Sequence, residues 1–359
     1  MKSKVYFIAV GDSDKPELIK EKLKLLFCQS NILACINKDE RVAVKLHFGE
    51  EGNVGFVKPE YVRIICEELN AKHASPFVCD TNTLYRGRRS NSVDHLSIAK
   101  EHGFSLESIM APIVIPDDAQ EKNISDVKIN GKLIDIAKIA KVFKDADVLL
   151  GVAHFKGHMM TGFGGALKNI GMGCATREGK LAQHASVAPF VVAKNCVNCG
   201  ACIKVCPVNV ISVKSDKAHI DGSKCIGCAS CIAACKYWAI DLDWEGGGKT
   251  LQEKMVEYTK AALLGKDNKK IFINFALKIT KECDCLAQDD PKISPDVGIF
   301  ASHDPVNIDK ACMDLVNEAC GKDVFKEAHP KRDGLVQLKY ASEIGLGHLE
   351  YELVKCKYD

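Results

Sequence analysis

No stretch of the 359-residue sequence is apolar for long enough to span a bilayer, and no block of like charge stands out. The formal net charge is only +2, so the charge balance does not call for nucleic acid or an anionic membrane as the main partner. Aromatic and basic residues are not interleaved in the way that stacks single-stranded bases. No serine–histidine–aspartate constellation is readable. The apolar stretch Val5–Val10 is short and is stopped by Gly11, Asp12 and Asp14, unlike a secretory leader. The expectation is a cytoplasmic protein with no membrane span. Hydrophobic residues at 47% and charged residues at 27% are ordinary for a globular chain, and the length suggests two units.

Cysteine, by contrast, is abundant: there are eighteen. In a reducing compartment a disulfide scaffold is disfavoured, and metal binding or redox chemistry explains the number better. Eight of the eighteen fall within residues 196–235. Cys196, Cys199, Cys202 and Cys206 recur 29 positions later as Cys225, Cys228, Cys231 and Cys235, and Ile203, Ile211 and Val213 match Ile232, Ile240 and Leu242. A duplicated unit implies pseudo-twofold packing of two halves. Each run is C-x2-C-x2-C-x3-C. Three close thiolates wrap one face of a cubane, and the fourth ligand comes from elsewhere in the chain. Zinc prefers paired C-x2-C units set apart by longer loops.

Residues 191–244 resemble the bacterial-type ferredoxins. Pro207 follows the first run as that pattern expects, and Lys236 replaces the proline after the second. The resemblance implies two [4Fe–4S] clusters with crossed ligands. The first takes Cys196, Cys199, Cys202 and Cys235, and the second takes Cys225, Cys228, Cys231 and Cys206.

On both sides of this segment the pattern is α/β. Val5–Val10, Val42–Phe48, Phe77–Cys79, Val148–Ala153 and Ile271–Phe275 read as buried strands. Helices are expected after Pro59, where Val62, Ile65, Cys66 and Leu69 share a face, over Leu251–Leu264, and after Asp304-Pro305. This predicts a mostly parallel sheet with helices on both faces, plus a small inserted α+β ferredoxin-like module. The expected layout is an α/β domain, first part, over 1–190, the insert over 191–245, and the second part over 246–359. Gly246-Gly247-Gly248 reads as the joint.

Ligands of open α/β sheets bind at strand ends, and polar residues concentrate there. The groups are Lys45 and His47, with Gly49, Glu50 and Asn53; Asp80, Asn82 and Tyr85, with Arg86 and Arg88; His154, His158 and Lys168; Cys283-Asp284-Cys285; and Ser302-His303-Asp304. Gly162, Gly164 and Gly165 precede a helix and are candidates for cradling a phosphate or cofactor, or for tight packing. His154 and His158 could chelate a metal from a helix, but Gly157 and the preceding strand favour a loop and hydrogen-bonded histidines. Cys283 and Cys285 are a candidate soft-metal or redox pair, or an inert pair on a β-segment; Glu282 and Asp284 would raise their thiol pKa values. Cys28, Cys35, Cys66, Cys79, Cys312 and Cys320 read mostly as core.

Nearly the whole chain is similar to the uncharacterised iron–sulfur family known as domain of unknown function 362. The similarity rests on Val44 to Glu50, Asp80 to Tyr85, Gly157-His158 through Gly171, Cys283-Asp284-Cys285 and Asp304-Pro305. It implies the architecture and leaves the reaction open. The leading expectation is electron transfer through two [4Fe–4S] clusters to a small-molecule substrate or second cofactor in the α/β part, supplied by a redox partner protein. Two other readings stand beside it: a non-catalytic carrier that docks on a partner enzyme, and a metal- or cluster-handling protein that uses Cys283 and Cys285.

Overall fold

In the computed structural model, the apolar runs build the centre of one eight-stranded sheet. Residues 3–84, 87–116, 121–184, 189–206, 208–225, 231, 234–235, 237, 239–241 and 244–358 are described, without the side chains of 121 and 244–247. The sheet strands are β1 (Ser3–Ala9), β2 (Arg41–Lys45), β3 (Ser75–Cys79), β4 (Ile113–Val114), β5 (Val148–His154), β6 (Lys270–Ala276), β7 (Gly298–Ser302) and β8 (Tyr351–Lys355). Their order across the sheet is β8-β1-β7-β6-β5-β2-β3-β4. Only β7 runs antiparallel to its neighbours, β1 and β6; the other pairs are parallel. Strands from before and after the cysteine runs therefore share one sheet.

Side-chain alternation gives the sheet two buried faces, and helices cover both. Val42, Val44, Val148 and Leu150 pack against α1 (Pro16–Ser30) and α2 (Pro59–Ala71) through Leu23, Leu26, Val62 and Ile65. Ala43 and Leu149 face the other way. That side is covered by α3 (Ala166–Gly173), α4 (Trp244–Leu263) and α5 (Pro305–Cys320), which contribute Leu167, Ile170, Met255, Ile308 and Cys312. Proline opens α1, α2 and α5 at a position where its missing N–H costs nothing. Asp304 caps α5 by accepting the Val306 and Asn307 amides at 2.8 and 3.1 Å. Among the described residues, no helix is long and apolar enough to cross a membrane.

Two expectations fail here. Gly246–Gly248 is not a joint but lies inside α4. Tertiary packing outweighs the poor helix propensity of glycine: α4 lies close along α3 at Gly171, and its Glu257 accepts the Leu133 and Ile134 amides and the Tyr340 hydroxyl. Cys28 is exposed. The buried stripe of α1 runs through Ile19, Leu23, Leu26, Phe27 and Ser30, and position 28 falls off it. Cys66, Cys79 and Cys312 are buried, and Cys35 and Cys320 partly so.

Among the described residues, the strands within 190–241 pair only with one another. Phe190–Val191 pairs antiparallel with Ile240–Asp241, and Ile211–Lys214 with Lys217–Ile220. In the 29-residue repeat, Val191 corresponds to Ile220 and Ile211 to Ile240. The observed partners are Val191 with Ile240 and Ile220 with Ile211. Each half thus pairs its first strand with the second strand of the other half, a pseudo-twofold exchange.

Candidate functional site

Beyond the carboxyl ends of β2, β3 and β5 lies a cavity of about 240 Å³. Lys45 ends β2, Asp80 follows β3 and His154 ends β5; all three line it. His47, His158, Lys168, Gly164, Gly165 and Cys285 line it too. The structure therefore gathers most of the strand-end candidates around one space. Asn82 is buried behind that wall, with its amide donating to Ser92 Oγ at 3.0 Å. Gly162 packs against Gly334 instead. Tyr85 and Arg86 lie outside the described residues. The group Ser302-His303-Asp304 does not join the cavity. It ends the antiparallel strand β7, so it sits at the opposite sheet edge, where Ser302 pairs with Phe272 near the start of β6.

Buried ion pairs fix the wall. Lys45 Nζ reaches Asp80 Oδ1 at 3.1 Å and Asn169 Oδ1 at 2.8 Å. Gly173 makes room for it, since a Cβ there would overlap the lysine chain. Arg89 pairs with Glu50 at 3.0 Å, and its Nη1 lies 2.8 Å from His47 Nε2. His154 Nδ1 meets Asp284 Oδ1 at 2.8 Å, its Nε2 lies 2.9 Å from the Leu277 carbonyl, and Lys156 Nζ lies 3.4 Å from Asp284 Oδ2. Lys180 donates to Thr81 Oγ1 and the Asn82 carbonyl. Burial favours the neutral acid at Asp80 and Asp284, yet their neighbours win and hold both below the usual carboxylate range: the Lys45 ammonium beside Asp80, and the hydrogen-bonded His154 with the Lys156 ammonium beside Asp284.

The cavity is cationic. Five lysine and arginine side chains line it (Lys45, Arg89, Lys156, Lys168, Lys180) against two aspartates. Among the described residues, Lys168 has no carboxylate within ion-pair reach; its Nζ lies 3.5 Å from Cys283 Sγ. Burial, and then the charge on Lys156, push its pKa down to about 7. Burial and the same lysines hold His158 well below its ordinary value, and burial and Lys168 bring His184 down to about 4. Both rings are therefore neutral near pH 7.

Cys283 and Cys285 sit on a turn, not on a β-segment, and their sulfurs are joined in a disulfide. Ligand atoms of His158, Cys283 and Cys285 lie within 4.8 Å of one another, a spacing that can hold a metal ion. His158 gets there because Gly157 lies flat against the 280–281 backbone, where a Cβ would collide with the Lys281 carbonyl. Asp284 is engaged by His154 and Lys156, and the Glu282 carboxylate lies 3.7 Å from His329.

A second cavity lies in the cysteine segment and is lined by Cys196, Cys199, Cys202 and Cys235. Ala218 N–H donates to Cys196 Sγ at 3.4 Å, and this with Asn198 lowers the Cys196 pKa. Val210 N–H donates to Cys206 Sγ at 3.4 Å, and Ala239 N–H to Cys235 Sγ at 3.3 Å. These two bonds occupy equivalent positions in the repeat. Cys225, Cys206 and Cys231 are described, whereas Cys228, Pro207 and Lys236 lie outside the described residues.

The family model described as domain of unknown function (DUF362) matches residues 42–314, from β2 into α5, including both cavities' cysteines and the cationic wall. The chain belongs to the DUF362 family. No curated protein matches it. Among solved structures this DUF362 chain is similar to the lactate racemase apoprotein from Thermoanaerobacterium thermosaccharolyticum, at 14% identity and a TM-score of 0.41 over 81% of this chain and 50% of that one. It is also similar to a structural-genomics protein from Thermotoga maritima, at 13% identity and 0.39 over 93% and 60%. The chain thus spans about half the length of the first and three fifths of the second.

Sequence reasoning did not single out Arg89, Lys156 or Lys180 as site residues. Lys156 follows His154 by two in the same polar run, so period-two alternation beyond β5 was an available signal. Arg89 and Lys180 carried none, because their places depend on Glu50 and Thr81, far away in sequence.

Proposed function

We propose that this DUF362 chain is an iron–sulfur redox protein whose α/β cavity binds an anionic small molecule. The observation that carries the reading is the ring of Cys196, Cys199, Cys202 and Cys235 around one cavity. Cys235 belongs to the second run, and the pairing of Val191 with Ile240 brings it beside the first. The equivalent pairing of Ile211 with Ile220 favours the mirror arrangement, with Cys206 joining Cys225, Cys228 and Cys231. The donor set suits [4Fe–4S] clusters: all thiols, with amide N–H groups aimed at three of the sulfurs. Among the described residues the only three-ligand group at single-ion spacing is elsewhere, at His158, Cys283 and Cys285, whereas tetrahedral zinc with bonds of about 2.3 Å would draw thiolates to about 4 Å. Such clusters supply one-electron transfer.

The segment joins the body at the cavity. The wall includes His184 on the way into the cysteine segment and Leu251 on the way out. Lys168, Lys156 and Lys180 provide the positive field, and the ion pairs of Asp80 and Asp284 keep that field fixed before any ligand arrives. A carboxylate or phosphate matches the excess charge.

The test is anaerobic purification with iron and sulfide counted per chain, and electron paramagnetic resonance of the reduced protein. About eight irons per chain and two interacting reduced clusters are expected. Cys196→Ala removes one cluster's signal; an unchanged iron count in that variant sinks the ligand assignment. Thermal shift with inorganic phosphate and small dicarboxylates checks the cavity, where no stabilisation by any anion overturns that part.

A further inference from the structure

We propose that Cys283 and Cys285 form a two-electron thiol–disulfide centre in the wall of the cationic cavity, with Cys285 as the exchanging sulfur and Cys283 as the sulfur held beside Lys168. This deepens the redox reading above and rests on it for the source of electrons. The two sulfurs stand differently. Cys285 lines the cavity, whereas Cys283 is 3% exposed and lies behind it. Cys283 Sγ accepts the Cys285 N–H at 3.3 Å and lies 3.5 Å from Lys168 Nζ. Amide and ammonium donors at one sulfur favour its thiolate when the bond opens.

A scaffold role explains the bond poorly. Its residues are two apart in sequence, and a loop that small removes little entropy from the unfolded chain. Metal ligation also fits less well than the 4.8 Å spacing suggests. His158 Nδ1 lies 3.2 Å from both the Met160 and Thr161 amides, which donate to it, so the neutral ring carries its proton on Nε2. Nε2 is then a donor with no lone pair to offer a metal, and Nδ1 is already occupied by the two amides.

Reduction breaks the S–S bond and gives the sulfurs two electrons. One proton from cavity water goes to Cys285, and Cys283 remains a thiolate beside the Lys168 ammonium. The reductant is two one-electron equivalents from a low-potential iron–sulfur donor, the chemistry proposed for residues 196–235. In the reverse direction two one-electron equivalents of ferricyanide take up both electrons, the S–S bond re-forms and the Cys285 proton returns to cavity water.

Trypsin cleavage after Lys281 and Lys292 releases residues 282–292, which contain Cys283 and Cys285 and no other cysteine. The anaerobic holoprotein is photoreduced with a deazaflavin or oxidised with ferricyanide, then treated with iodoacetamide under denaturing conditions. Two additions to this peptide after reduction and none after oxidation are expected. Reductive titration of wild type takes up about four electrons, and of Cys283→Ser about two. Lys168→Met keeps the reversible pair but slows native-state alkylation of the reduced pair by roughly tenfold near pH 7, through a raised thiol pKa. Two additions in both states overturn the proposal, as does a zinc ion retained stoichiometrically by the pair. Iron-free protein whose pair still opens and closes with a phosphine and ferricyanide sinks the cluster reading and leaves this centre standing. Loaded, reducible clusters beside a pair that never closes sink the centre alone.

Discussion

The cysteine segment and the α/β cavity build their sites in opposite ways. Around the cysteines, the described core is Cys196, Cys202, Ile211, Ala218, Cys231, Ala239 and Ile240, so cysteine is as prominent as any apolar residue. Among the described residues this core is small, and on the proposed cluster reading ligation supplies part of the segment's folding energy. The cavity rests on the two large cores that sandwich the sheet. Its charged groups are locked by buried pairs such as Lys45–Asp80 and His154–Asp284. One site is therefore local and, on the proposed reading, dependent on its clusters, whereas the other is assembled from distant residues and held by buried ion pairs.

Stripping iron should separate the two most sharply. Amides of residues 190–225 should exchange with deuterium on the order of 100-fold faster or more, while those of β2, β5 and β6 stay protected. Unchanged protection in the segment would erase the contrast. Asp284→Ala should do the converse, costing about 3–5 kcal/mol in urea unfolding because His154 and Lys156 lose their buried counter-charge, with cluster spectra intact. Asp284 has a depressed folded pKa, so its contribution is complete above the usual aspartate range and drains away as pH falls toward the folded value. The acid-induced loss should be smaller in the variant.

Lys168→Met should weaken binding of the best anion by about tenfold to 100-fold, the worth of one charge-assisted contact. Lys168 is protonated below about pH 7 and neutral above it, so wild-type affinity should fall as pH rises through 7 and the variant's should follow the shallower profile of the remaining cations. Calorimetry at pH 6 and pH 8 checks this. The smallest effect is expected from His158→Ala, which should leave the cluster spectra unchanged. Their collapse would mean that the histidine belongs to the cluster environment and that the regions are not separate.

The cysteine runs were legible because ligands at fixed spacing are local information, and the 29-residue repeat implied two halves packed with pseudo-twofold symmetry, though not which strands they exchange. The central strands were legible from apolar runs such as Val148–Ala153. The short edge strand β8 was not, since Tyr351–Lys355 is only partly buried and offers no clear alternation. The Gly246–Gly248 helix was hidden because helix packing, not propensity, decides it.

By itself the sequence determined the α/β pattern of the chain, the grouping of cysteines in two runs and the polar residues at the strand ends. Only the tertiary structure decided that Lys168 stands beside Cys283, that Arg89 and Lys180 join the wall, and that Ser302-His303-Asp304 lies at the far edge. The last follows from the direction of β7, since reversing one strand moves its polar end across the whole sheet. The others follow from side chains far apart in sequence that are held together by buried charge pairs and close glycine contacts, which no local pattern encodes.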